Sequence, residues 1–366
     1  MTAMLRPRLP AIATALRARP MRAAIAAARS RPYDAVLSLV VLALVARAAW
    51  ALLSWGLVDA VWGSEASSCA GLAGRGACWA VIAAKFRYIL FGSYPFDAQW
   101  RPAVGVAGIV AATLVSAEPA LWGRRLALVW AGALGLFFGL MAGGVPGLGF
   151  VPADRWGGLP LTLALAIVGV LAALPLGIGL ALARRSPIRS LRITSTVYIE
   201  TIRGVPLITV LFMSSVMLPL FLPDGMVVGG LARAMVAVVL FTAAYVAEVV
   251  RGGLQMVPGG QVEAAASLGL GYWKTTGLVV LPQALRIVIP PLVNTFIEVL
   301  KDTTLVVIVG LFDLLNTTRS SILDITWRPY FVEVYLFAAL IYLFFCYTMS
   351  HISLRLERRI ASATAR

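Results

Sequence analysis

The stretch Leu159–Ala183 contains no charged residue, and apolar runs of similar length recur along the chain. A helix crosses the hydrocarbon of a bilayer in about 20 residues, so runs of this kind predict transmembrane helices. In lipid, every backbone N–H and C=O must be satisfied internally, which leaves only helices or a closed barrel. Barrel strands alternate in hydrophobicity over about 10 residues, and these runs do not. Composition agrees. Hydrophobic residues make up 60% of the chain and charged residues 13%, whereas a soluble domain carries about 25% charge. The mean hydropathy is +0.90. The expectation is an all-α membrane protein.

Eight spans are predicted: Tyr33–Trp55, Pro102–Ala117, Leu126–Val145, Leu159–Ala183, Ile193–Leu222, Leu231–Val250, Ala284–Leu311 and Phe331–Leu354. The net charge of +15 does not point to nucleic acid, because the basic residues sit in patches between spans. Met1–Arg31 carries seven Arg and no acid. It lacks a small-residue cleavage site after a short apolar stretch, so it reads as a retained tail, 1–32, and not as a signal peptide. That tail, Arg124-Arg125, Arg184 to Arg192, Arg251 to Arg286, and the basic end 356–366 fall on one side. The positive-inside rule makes that side cytoplasmic, with both termini inside.

Residues 33–158 are expected to hold three spans and a long external loop, Asp59–Arg101. Trp55, Trp62, Trp79 and Trp100 suit a membrane–water boundary there. Residues 79–91 read as an interfacial helix or an extra span, and Lys85 and Arg87 near the centre favour the first. Cys69 and Cys78 lie in the same stretch, as two thiols or, in an oxidising compartment, as a disulfide. Cys346 reads as apolar filler in the last span.

Charges inside the predicted spans need partners, since each costs about 2.5–3.5 kcal/mol at the bilayer centre. Glu298, Lys301 and Asp302 lie in the seventh span. Their spacing puts Lys301 beside Glu298 on one helix face. Two readings stand: a self-neutralising group that fixes packing, or a polar lining of a substrate path that also takes in Asn294. Glu200 and Arg203 repeat the spacing just before Gly204-Val205-Pro206, where the fifth span is expected to break. Pro175 and Pro290-Pro291 add breaks in two more spans.

Nothing in the sequence suggests catalysis. GxSxG and HExxH are absent, and the lone His and three Cys have no metal or haem spacing. GYWKTT at 271–276 lacks the glycine that a P-loop places before its lysine. No cofactor is therefore expected on this chain. The candidate classes are a permease powered by a nucleotide bound on another subunit, an ion-coupled secondary transporter, and a lipid-modifying enzyme. The second class often shows inverted repeats, and none is visible.

The segment GGQVEAAASLGLGYWKTTGLVVLPQ, residues 259–283, breaks the apolar pattern. Glu263-Ala264-Ala265, then Gly269, then Leu281-Pro282, resembles the EAA loop of ABC-importer permeases, although Val279 stands where Ile is commonest. YIETIRGVPLI at 198–208, AYVAEVVRGGLQMVPGGQVEAA at 244–265 and LPQALRIVIPPLVNTFIEVLKDTTLV at 281–306 resemble the polar-amino-acid subfamily. The extra N-terminal residues are similar to those of the larger permease of general L-amino-acid importers. The resemblance implies a five-helix type I importer core at 159–355 with a coupling loop at 251–283. It also implies a short cytoplasmic helix, Val262–Leu270, in which Glu263, Ala264, Ala265, Ser267, Leu268 and Gly269 engage a partner ATPase. Further implied partners are a second permease, often an unlike one, two ATPases that hold ATP and Mg, and a periplasmic amino-acid-binding protein. The implied location is the bacterial inner membrane, with lipid and no nucleic acid as surroundings.

Overall fold

The computed structural model describes residues 32–63, 65–69, 75–144, 146–223 and 225–364. The basic segment Met1–Arg31 lies outside them. The described residues are helices joined by turns, with no strand among them beyond isolated bridges. The chain divides into two compact units, residues 1–63 with 67–80, and residues 64–66 with 81–366.

In the first unit, α1 (Pro32–Leu53) runs on through a π-helical turn at Ser54–Val58. Beyond it the chain folds back on itself. Val61 N donates to Ala77 O at 2.8 Å and Trp79 N to Val61 O at 2.9 Å. The Trp79 indole donates to Gly56 O at 2.8 Å and stacks on Trp62 at 5.8 Å. Cys69 and Cys78 are joined by a disulfide. Gly76 is required here, because a Cβ would lie 1.9 Å from the Asp59 carbonyl oxygen. Residues 70–74, within the glycine-rich loop that the disulfide closes, lie outside the described residues.

The second unit begins with α2 (Ala80–Phe91), too short to cross a bilayer. It is followed by α3 (Trp100–Val115), α4 (Arg124–Ala142) and α5 (Gly158–Arg184). Next come α6 (Arg189–Gly204) and α7 (Leu207–Val216), bent by 104° at Val205-Pro206. This is the predicted break: proline cannot donate to a helix and pushes the preceding residue out of helical geometry. Then come α8 (Gly230–Met256), α9 (Gly259–Ser267), α10 (Tyr272–Ile287) and α11 (Ile289–Asp302), the last continuing as 3-10 turns to Val309. α10 and its successor are bent by 63°. The final helices are α12 (Leu314–Ser321) and α13 (Phe331–Thr364). Among the described residues, 6 helices can cross a membrane by length and hydropathy, or up to 8 if each bent pair is one span.

Small residues set the packing. At Gly177 of α5 a Cβ would lie 2.5 Å from Val246 Cγ1, and at Gly169 it would lie 2.9 Å from Val238 Cγ1, so α5 and α8 approach closely. At Gly253 of α8 a Cβ would lie 2.8 Å from the Ala284 carbonyl oxygen of α10. Ala181, Ile199, Val246, Val250, Ala284 and Leu292 join α5, α6, α8, α10 and α11 in one buried cluster.

Three boundaries differ most from the sequence expectation. α8 continues to Met256, because Gly253 lets it keep packing on α10. α10 starts at Tyr272 and absorbs Leu281-Pro282 behind a π-helical stretch, Thr275–Val280. The wider turn removes the conflict between the proline ring and the carbonyl four residues earlier. The non-span connection therefore narrows from 251–283 to 257–271. α13 extends to Thr364, so most of the expected tail at 356–366 is helical.

Candidate coupling and pathway sites

α9 is held at its two ends and is open between them. Pro258, with φ −59° and ψ 137°, turns the chain out of α8. At the other end Gly269 has φ +73°. Gly269 N donates to Ala266 O at 2.9 Å and Leu270 N to Ala265 O at 3.1 Å. This is a Schellman stop, which favours glycine at the left-handed position. The expected helix Val262–Leu270 is thus Gly259–Ser267: it begins three residues earlier, and the Gly269 turn closes it. Gln283 Nε2 donates to Gln261 Oε1 at 3.2 Å and ties α9 to α10. Ala265 faces inward, while Glu263, Ala264, Ser267, Leu268 and Gly269 are exposed. Leu268 is 81% and Trp273 76% exposed, an apolar surface that α9 shares with the start of α10.

Beneath this hairpin lies an ion network that sequence spacing did not foretell. Glu200 and Arg203 do not pair with each other. Arg184 of α5 donates to Glu200 Oε1 at 2.6 Å and to Glu248 Oε2 at 3.2 Å. Arg251 grips Glu248 with both Nε, at 2.9 Å, and Nη2, at 2.5 Å. Arg203 Nη1 lies 3.6 Å from the same carboxylate, and its guanidinium carbon is 5.7 Å from the Tyr245 ring centroid. One carboxylate, Glu248, thus joins cations of α5, α6 and α8. Its only local signal was the Glu248/Arg251 spacing.

The polar residues of α11 stand differently from expectation. Among the described residues no carboxylate lies within ion-pair distance of Lys301. Asn294, Glu298 and Lys301 fall three and four residues apart on one exposed face, and Asp302 is half-buried. Helical spacing put them on one face, but the face turns outward from this chain, so the expected Lys301–Glu298 pair does not form. Glu298 and Asp302 line a cavity of about 210 Å3 with Phe241, Tyr245 and Thr295. This polar face on a membrane helix therefore abuts a recess between α8 and α11.

The far end of α11 is tightly built. Asp313, fully buried, accepts from Leu315 N at 3.3 Å and Asn316 N at 3.1 Å, capping α12. It also accepts from the Tyr342 hydroxyl at 3.1 Å. Burial pushes its carboxyl above the usual range, against the lowering by Asn316, Leu315 and Tyr342. Thr162 Oγ1 accepts from Leu314 N at 3.0 Å, and Thr317 Oγ1 donates to Ile89 O of α2 at 2.8 Å.

Residues 173–362 match the model of a family described as binding-protein-dependent transport system inner membrane component. The chain belongs to that family. Across 316 residues the permease is 51% identical to the inner membrane amino-acid ABC transporter permease protein YhdY of Escherichia coli K12, covering 84% of each chain. It is 40% identical over 360 residues to the glutamate/glutamine/aspartate/asparagine transport system permease protein BztC of Rhodobacter capsulatus, covering 82% of this chain and 80% of the relative. A crystal structure of an amino acid ABC transporter with histidines has 34% identity and a TM-score of 0.49, over 55% of this chain and 91% of that one. The permease is a multi-pass inner-membrane subunit of an ABC importer, and ATP hydrolysis belongs to a separate subunit. Membership gives no support to the ion-coupled alternative. Permeases of this kind work with a second permease, ATPases and a substrate-binding protein.

Proposed function

We propose that this permease carries polar amino acids into the cytoplasm, driven by two ATPases, one of which grips α9. The observation that carries the reading is the geometry of α9: a short helix fixed at both ends, with one buried residue and an exposed row of small side chains. Small side chains let another backbone approach closely. Glu263, exposed midway along α9, adds a carboxylate to that surface. ATP and its Mg are held by the ATPase. The cargo class follows the names of the relatives, which include amino-acid permeases of two bacteria.

The second permease is an unlike chain, and the path runs between the two. Asn294, Glu298, Lys301 and Asp302 line it, with Glu200 and Arg203 anchoring its cytoplasmic end through the Glu248 network. Both termini are cytoplasmic, and a periplasmic amino-acid-binding protein docks opposite, where the Cys69–Cys78 bridge braces the loop.

Ala264→Trp tests the coupling. Its side chain would enlarge an exposed position, so the permease should still insert. Co-purified ATPase should fall by roughly tenfold, the effect of losing about 1.4 kcal/mol, and binding-protein-stimulated hydrolysis with it. Full ATPase retention in this variant would place the coupling surface elsewhere.

A further inference from the structure

The second unit also holds an apolar cavity of about 390 Å3 between the α3–α4 pair, α5, α11 and α13. Ile109, Trp130, Val170, Phe296 and Phe345 are among its walls. The hydroxyls that reach it are already used. Thr113 Oγ1 donates to Ile109 O at 2.8 Å. Ser116 Oγ donates to Ala112 O at 2.8 Å and accepts from Trp130 Nε1 at 3.0 Å. Nothing inside calls for a polar ligand. Its volume lies in the range of ligand pockets, about 300–1,000 Å3, and its walls are helices that cross the membrane.

One end of this cavity differs from the rest. Ser116 and Ile352 mark it. The Trp122 indole donates to Ser116 O at 2.9 Å. Arg355, three residues beyond Ile352, donates to Ala117 O at 3.3 Å. Arg124 and Arg125 open α4 at the same end, and all three arginines are exposed. The acids there are Glu118, which accepts from Ala120 N at 3.4 Å, and Glu357, which accepts from Ser353 Oγ at 3.2 Å. Basic pockets between membrane helices suit anionic headgroups. A guanidinium binds phosphate through paired, charge-assisted bonds, and tryptophans favour the boundary where headgroups lie.

We propose that this cavity holds an acyl chain of an anionic phospholipid whose phosphate rests on Arg355 and Arg124. The lipid fills the seam between the α3–α4 pair and the core helices, directly behind α11 and its polar face. The proposal rests on these helices being spans. The orientation proposed above makes the source the cytoplasmic leaflet.

The test uses the assembled transporter, washed in detergent and offered equal phosphatidylglycerol and phosphatidylcholine, with bound lipid counted by native mass spectrometry. The wild type should prefer phosphatidylglycerol roughly tenfold, and inorganic phosphate should not displace it. Arg355→Gln combined with Arg124→Gln should erase the preference while phosphatidylcholine still binds. Val170→Phe, which fills the cavity, should lower retention of both lipids. Equal retention by the wild type overturns the proposal whether or not the variants fold. So does unchanged retention in a folded Val170→Phe chain, or lipid bound by the lone permease but absent from the complex, which would mean that a partner subunit fills the cavity. Labelling Arg124→Cys with an impermeant thiol reagent reads orientation separately: a reaction from outside would move the lipid to the other leaflet and leave the retention result standing.

Discussion

α9 and α12 are of nearly equal length, 9 and 8 residues, and each joins two membrane segments. They differ in almost everything else. α12 buries Leu314, Asn316, Thr317, Thr318 and Ser321 and starts on the Asp313 cap. α9 buries Ala265 alone and has no side-chain cap. Backbone and hydroxyl groups of α2 and α5 meet α12, so its polar groups find partners within the chain. The surface of α9 is left open, with Leu268 and Val262 81% and 46% exposed. An exposed apolar patch rimmed by polar groups marks an interaction site. The contrast teaches that α12 is completed by its own fold, whereas α9 leaves a surface open for the proposed partner.

The strongest way to break this comparison is Gly158→Val. Gly158 has φ +62°, and a Cβ there would lie 2.2 Å from the Leu90 carbonyl oxygen. Gly158 N also donates to Phe312 O at 2.9 Å, next to the α12 cap. Overpacking of about 1–3 kcal/mol adds to about 1–2 kcal/mol for the left-handed backbone. The variant should be recovered in low yield and melt well below the wild type. A wild-type melting temperature would mean that this end is looser than its contacts imply.

Glu248→Gln is the next largest. It leaves Arg184, Arg203 and Arg251 without their shared carboxylate and should cost about 1.5–3 kcal/mol, the worth of a charged hydrogen bond. Adding Arg251→Met should recover part of the loss in thermal melts, since fewer cations stay unpaired. A double variant that melts lower than Glu248→Gln alone would refute the shared-anchor account.

Gly269→Val sharpens the contrast, because it applies the same chemical change to the open end. No atom lies within 4 Å of a Cβ at Gly269, so only the backbone strain of about 1–2 kcal/mol remains. Insertion and yield should stay near wild type while stimulated ATP hydrolysis falls. If Gly269→Val melts as low as Gly158→Val, the two ends do not differ as described.

The smallest effect belongs to Lys85–Asp324, an exposed pair 3.1 Å apart that links α2 to the segment after α12. The Lys85 hydrogen bond, helped by Thr326 N, holds the Asp324 carboxyl below the usual range. A depressed folded value stabilises above the unfolded value, about 3.9, and that contribution is lost as pH falls through the folded one. Asp324→Asn should therefore melt slightly lower than the wild type at neutral pH and low salt. The gap should close as pH falls through the depressed folded value and shrink in high salt. A gap that persists in acid would assign the difference to something other than charge.

Features that depend on local sequence were legible in advance. Apolar length located the helices, Val205-Pro206 the sharp bend, and the Glu263 to Gly269 spacing the turn that ends α9. Features that depend on distant residues were not. Glu248 and Arg184 are 64 residues apart, so only folding reveals that they share a bond. The spacing of Glu298 and Lys301 put them on one face but could not say that this face looks away from its own chain. The Asp313 cap and its burial against Tyr342 were not foreseen, because the burial depends on a residue 29 positions away. Gly158 was one glycine among 33 until α2 was seen to run across it.

The close approach of α8 and α10 at Gly253, with the Gln261–Gln283 bond beside it, makes the hairpin below them a lever whose fulcrum is the kink before α11. A lever of this kind transmits work in both directions. If a subunit clasping α9 alters the affinity of the α11 face for its cargo by some factor, equilibrium requires the cargo to alter that clasp by the same factor. On the proposed reading the permease reports as well as obeys: a molecule beside Glu298 and Asp302 would be felt, through one bent helix, at the surface around Leu268.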